Sequence, residues 1–322
     1  MRVGSRGILC ALLSALMICA AAAAEDGAAV KPLPAQIMPN AARSLLLDVQ
    51  HAGDHLVAVG SRGQILLSDD GEQWKQVETP VRSTLTAVSF ANAEQGWAVG
   101  HDATVLHTAD GGGTWTLQNF QPELNKPFLG VLFVDASKGF AVGAFGLFEK
   151  TTDGGAHWST VEAPEILADN LHLFGMRKLG NGNLFITGEQ GLLGLSIDGG
   201  TTWAKLKSPY EGTFFGSVPV GDSGVAVCGL RGNAWFAADI AVPKWQKLDT
   251  GTSDSLFGCA SAGDGRVAMA GLNGTIVIAD TRSGKVESVD GGVDSTLSAI
   301  TRWKSGLVLV GESGIRQVPA IK

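Results

Sequence analysis

Short apolar runs that close on glycine punctuate the whole chain. HLVAVG ends at Gly60, GWAVG at Gly100, GFAVG at Gly143, LFITG at Gly188, VAVCG at Gly229, VAMAG at Gly271 and LVLVG at Gly311. The interval is 40–45 residues throughout. A second glycine follows closely in six units, at Gly63, Gly146, Gly191, Gly232, Gly274 and Gly314. An apolar strand opens each unit, as in LTAVSF and LGVLFV, and an Asp-Gly turn with a tryptophan closes most of them. Each unit therefore predicts four short antiparallel strands joined by tight turns. Four strands every 40–45 residues is the period of a propeller blade. Seven units predict an all-β fold, a seven-bladed β-propeller, closed into a ring because an open array would leave apolar faces and strand edges in water. The seventh unit stops after GESGIRQV, without a fourth strand. The stretch Lys31 to Met38 precedes the first unit and is expected to supply that strand, joining the two ends of the chain.

The turns carry their own pattern. TADGGGTW, TTDGGAHW and SIDGGTTW match Ser/Thr-x-Asp-x-Gly-x-x-Trp, with Asp110 and Trp115, Asp153 and Trp158, and Asp198 and Trp203. LSDDGEQW is a fourth copy, read with Asp69 as its carboxylate and Trp74 as its ring, and with Leu67 in the hydroxyl position. This is the Asp-box, or bacterial neuraminidase repeat. Its chemistry is structural: the carboxylate accepts backbone N–H groups of its own turn, and the indole fills the gap between blades. If strands A to D run outward from the axis, the Asp-box joins C to D on one face. The B–C turns and D–A links share the opposite face, where such propellers usually carry their ligands. Candidate partner-binding residues there are Arg62, Arg82, His101, Phe145, Tyr210 and Arg231, with Phe214 as a further aromatic anchor.

The N-terminus changes the compartment. Arg2 and Arg6 precede an uncharged apolar run from Ile8 to Ala21, then Ala22-Ala23-Ala24. That order is a secretory signal with cleavage after Ala24, giving residues 1–24 as signal, 25–44 as an arm and 45–322 as the propeller. The run is short for a membrane span. Acylation at Cys19 is the rival reading, disfavoured by Ile18 where a small residue is expected. The mature chain is expected to be soluble, periplasmic and monomeric. Only Cys228 and Cys259 remain in it, as one disulfide or as two buried thiols.

Composition narrows function. The net charge of −7 falls to −9 without the signal arginines, which argues against nucleic acid as a partner. Hydrophobic residues at 45% argue against disorder. No cofactor fingerprint, phosphate loop or nucleophile elbow is present, and no Cys/His group has zinc spacing. His51 and His55 flank a turn, and His107 and His157 read as polar residues of Asp-box strands or turns. A sialidase would need an arginine triad, a tyrosine nucleophile with its glutamate, and an acid aspartate. The chain has one tyrosine, Tyr210, beside Glu211, with Arg62, Arg82 and Arg231 as the arginines. A glycan-binding or sialidase-like propeller is therefore the alternative function.

The units LTAVSFANAEQGWAVGHDATVLHTADGGGTW and LGVLFVDASKGFAVGAFGLFEKTTDGGAHW resemble the photosystem II stability/assembly factor family. The resemblance runs from about residue 45 to 318. It implies a non-catalytic propeller on the lumenal or periplasmic side of a membrane that binds newly made membrane-protein subunits during assembly. Relatives outside photosynthesis would serve envelope complexes. Photosynthetic members display an arginine-rich patch, for which Arg62, Arg82 and Arg231 are the candidates here. The expected function is protein binding as an assembly factor, without catalysis or a cofactor.

Overall fold

The computed structural model describes residues 30–319; the expected signal segment and Cys19 lie outside them. Contacts divide the chain into residues 1–31 and 32–322, and the second unit holds the fold. Among the described residues it is all β: seven antiparallel sheets, each a simple meander, with six four-stranded and the last three-stranded. The first blade comprises Leu46–Ala52, His55–Gly60, Ile65–Ser68 and Lys75–Val77. The last comprises Leu297–Trp303, Gly306–Gly311 and Gly314–Val318.

Second strands such as Gly139–Gly143 are buried along their whole length. Their continuous apolar runs fit strands covered on both faces. The core divides into seven clusters, each shared by two neighbouring blades. Trp115 of blade two packs with Val57, Val59 and Ile65 of blade one. Trp203 packs with Phe140 and Phe148 of blade three. Trp74 sits in the cluster that joins blade one to Trp303 and Val308 of blade seven. The tryptophans thus fill the gaps between blades, as their turns predict.

Two expectations are corrected. Residues 32–38 form no strand, and the seventh sheet has three strands among the described residues. Instead Ala35 N–H donates to Thr79 O at 3.1 Å, and Met38 N–H donates to Gln76 Oε1 at 2.9 Å. Gln76 lies in the fourth strand of blade one and Thr79 just after it, so polar contacts hold the arm on blade one rather than as a strand of blade seven. Ring closure is left to side chains: Trp303 Nε1 donates to Asp70 O at 2.9 Å, and His51 Nε2 lies 2.6 Å from Arg302 O.

The second correction is the frame of the first Asp-box. Ser68 Oγ donates to Asp70 Oδ1 at 3.1 Å, and Asp70 Oδ1 accepts the N–H groups of Glu72 and Gln73, each at 2.7 Å. In blade two Thr108 and Asp110 play these parts. Asp70, not Asp69, is therefore the carboxylate of the first turn, one residue later than its sequence alignment suggests. The turn is one residue shorter than its siblings, which moves the hydroxyl from Leu67 to Ser68. Asp70→Asn is expected to lower stability measurably, because the charged acceptor that holds the Glu72 and Gln73 N–H groups is lost. Asp69→Asn is expected to cost almost nothing. Equal losses in urea unfolding would contradict this frame.

The other Asp-boxes set an acid limit on the fold. Asp153 is held down to about 2 by the N–H and ring of His157 and the hydroxyl of Thr151. Asp198 is lowered by Thr202 and Ser196. A carboxylate depressed in the folded state adds stability above its unfolded value, and that stability is lost as pH falls through the folded value. Stability is therefore expected to fall between about pH 4 and pH 2. His157→Ala should return Asp153 toward the ordinary carboxylate range in an NMR titration; an unmoved Asp153 would refute this assignment.

Candidate functional site

The B–C turns build the rim of one face. In six blades the turn places a non-glycine residue in the left-handed region: Arg62, Asp102, Phe145, Gln190, Arg231 and Asn273. In blade one Gly63 follows, also left-handed, and Gln64 N–H closes the turn on Ser61 O at 3.2 Å. Two successive left-handed residues are the signature of tight hairpin turns that match strand twist. A Cβ at Gly63 would collide with the carbonyl of Val81 in the adjoining link. The first of the pair is pushed outward, which is why Phe145 is 53% exposed in an otherwise apolar segment.

These turns distribute the candidate residues around the ring rather than gathering them. Arg62 and Arg82 lie on the same sector and both reach the arm. Arg82 Nη2 donates to Pro34 O at 3.3 Å, and Arg62 Nη1 lies 4.0 Å from Met38 Sδ. Arg231 projects from blade five and His101 from blade two. Among the described residues Arg62, Arg82 and Arg231 therefore do not gather into a triad. Tyr210 is half-buried, with its ring 5.9 Å from Phe214. Phe214 is fully buried and is not a surface anchor.

The residue that replaces Phe214 is its neighbour. Every innermost strand skips one residue of its pairing near this face: Leu47, Thr86, Leu129, Phe174, Phe215, Phe257 and Ser298. A bulge re-aims a side chain, and all seven line the central channel. Three consecutive blades place phenylalanine there. Phe174 and Phe215 have ring centroids 5.1 Å apart, and Phe215 and Phe257 5.0 Å. His172 extends the arc, 6.3 Å from Phe174 and 4.7 Å from the exposed Phe145. An unbroken aromatic arc thus runs from the rim of blade three to blade six. The sequence signal was the dipeptide Phe-Gly near the start of units four, five and six, in LFGM, FFGS and LFGC.

The channel has a volume of about 740 Å³. Two charged residues line it. Asp48 accepts the N–H groups of Val49 at 2.8 Å and Val88 at 3.0 Å. Arg177 donates from Nε to Ser217 O at 3.0 Å and from Nη1 to Met176 O at 2.8 Å. Both touch the channel interior but are walled by protein, so burial raises Asp48 and lowers Arg177 against their mutual attraction. Backbone groups satisfy them, so they tie neighbouring innermost strands together. Among the described residues no three His, Cys, Asp or Glu side chains converge as metal ligands.

Cys228 and Cys259 form a disulfide, with Cα atoms 6.7 Å apart, between the second strand of blade five and the innermost strand of blade six. The sequence had left the alternative of free thiols open. Unit six lacks an Asp-box tryptophan, and the bridge lies in the core cluster where that indole would pack.

The family model described as photosynthesis system II assembly factor YCF48 matches residues 66–128 and 118–212. The photosystem II assembly protein Ycf48 of Thermosynechococcus vestitus is 39% identical over 46 residues, 14% of this chain and 13% of that protein. The chloroplastic photosystem II stability/assembly factor HCF136 of Cyanidioschyzon merolae is 40% identical over 68 residues, 19% of this chain and 16% of that one. The matched stretches thus span less than a fifth of either relative. A solved structure described as YCF48 bound to D1 peptide superposes with a TM-score of 0.70 at 18% identity, over 91% of this chain and 100% of that one. At that identity the likeness shows the seven-bladed fold.

Proposed function

For a chain whose repeats are similar to those of the photosystem II assembly factor YCF48 family, we propose a non-enzymatic assembly factor that holds an extended segment of a membrane-protein subunit. The segment lies across the face formed by the B–C turns and D–A links. The observation that carries this reading is the aromatic arc Phe145–His172–Phe174–Phe215–Phe257 at the channel mouth. Aromatic side chains gathered at a concave centre are the usual anchors of binding energy. An apolar stretch of a subunit awaiting insertion or assembly has the complementary chemistry. The solved relative, whose description includes a bound D1 peptide, supports peptide binding by this kind of propeller.

The propeller works outside the cytoplasm. The signal-like N-terminus and the Cys228–Cys259 bridge support this, since such bridges persist in oxidising compartments. The test is affinity capture from detergent-solubilised membranes with the mature protein and its Phe215→Ser variant as baits. A membrane-protein subunit held by the unaltered bait and lost by the variant is the expected result. Equal capture by both would overturn the reading.

A further inference from the structure

We propose that the outer edge of Gly314–Val318 in blade seven accepts an extended, acidic segment of a partner polypeptide as a fourth strand. In the other six blades the third strand is covered. In blade one Ile65, Leu66 and Leu67 pair with Val77, Gln76 and Lys75, and in blade six Ile276 pairs with Val289. In blade seven the third strand pairs only with Gly306–Gly311 among the described residues. An antiparallel strand bonded on one side turns alternate N–H and C=O groups outward. Arg316 and Gln317 are exposed.

The chain's own candidate for this slot is committed elsewhere. Val77 ends the fourth strand of blade one eight residues before Leu85 opens blade two. The same offset from Leu46 falls on Met38. The arm enters as an ordinary link, with the carbonyl of Ala42 against Gly314 as Val81 lies against Gly63. Upstream it turns away: Met38 and Gln36 are held by the side chain of Gln76, and Pro34 by Arg82. Among the described residues the fourth-strand position of blade seven is thereby left without a partner.

Charge and shape select the occupant. Arg316 projects from the strand, and Arg43 is exposed where the link abuts Gly314. Neither lies within 4.0 Å of a carboxylate among the described residues. The strand Gly314–Val318 carries no acidic side chain. Glu312, in the turn before it, is directed at Thr296 N–H in the link on the opposite side. Ile315 is half-buried and packs on the core cluster that also takes Trp74, on the sheet face opposite to Arg316. A strand alternating acidic and apolar residues would set its acids on the Arg316 face and its apolar residues on the Ile315 face, with main-chain bonds supplying affinity as in other strand-addition complexes. Sibling fourth strands have two to four residues, so a short segment suffices.

The test uses the mature, oxidised protein and an end-blocked nine-residue peptide alternating Glu and Val, with its Lys-for-Glu counterpart as control. Fluorescence anisotropy should show the acidic peptide binding at least about tenfold tighter than the control, the scale of one charge-assisted hydrogen bond. Hydrogen exchange should show new protection at 314–318. Arg316→Glu and Arg43→Glu should each weaken binding about tenfold at unchanged Tm, and Phe215→Ser should leave it intact, which separates this site from the channel mouth. Binding without protection at 314–318 would overturn the proposal. So would protection already present in the free protein, which would place the arm in the slot, or protection that grows with protein concentration, which would place a second copy there.

Discussion

Replacing Phe174, Phe215 and Phe257 together by alanine is expected to lower affinity for the client segment by about a hundredfold or more. Anchoring side chains commonly cost more than 1 kcal/mol each when truncated, and about 1.4 kcal/mol is a factor of ten. The fold should survive. The three rings sit at bulges that face the channel, and none belongs to the seven clusters between blades. Phe214→Ala is the matched control. That side chain is fully buried between blades four and five, so it should cost about 3–5 kcal/mol of stability. Isothermal titration and thermal melts separate the two effects. A triple variant that binds normally would remove the arc from the site.

Reducing the Cys228–Cys259 bridge, or replacing both cysteines by alanine, is expected to destabilise the protein by about 3–4 kcal/mol. The bridge closes a loop with a sequence separation of 31, and the chain-entropy relation gives about this amount for such a loop. Its place adds to the effect. Blade six has no Asp-box tryptophan, so the cluster it shares with blade five relies on Val218, Leu248, Leu256 and Met269 around the sulfurs. A Cβ at Gly216 would press on both sulfurs, so the backbone there is matched to the bridge. In thermal scans Tm should fall by roughly 6–8 °C on reduction, since a domain of this size shifts about 2 °C per kcal/mol. An unchanged Tm in reductant would show that the side chains alone hold this interface.

The repeat was legible because each blade repeats one physical solution. A buried second strand ends on a glycine in every blade, and in five of them an indole closes the gap to the blade before it, so the glycine spacing alone counts seven blades. Which turns share a face was legible too, because a meander of four strands fixes which turns lie together. Phe145 lies exposed at its B–C turn because the first left-handed residue of the turn points outward. The neighbours Phe214 and Phe215 were not separable by periodicity. A single skipped residue reverses which side chain enters the core, and the bulge between Phe214 and Gly216 does this. The Asp69 and Asp70 ambiguity has the same origin, one residue lost from a turn. The closing strand failed for another reason. Its sequence offset was right, but the side chains of Gln76 and Arg82 hold the arm on blade one, a tertiary competition that no local pattern encodes.

The central claim is that a client segment lies on the channel-mouth face. It is tested most directly by a photo-crosslinking phenylalanine analogue at position 215, compared with the same analogue at position 197. Ile197 is 72% exposed in an Asp-box turn on the opposite face. The account predicts crosslinks to a membrane-protein subunit from 215 and none from 197. Crosslinks from 197, with 215 silent, would contradict it.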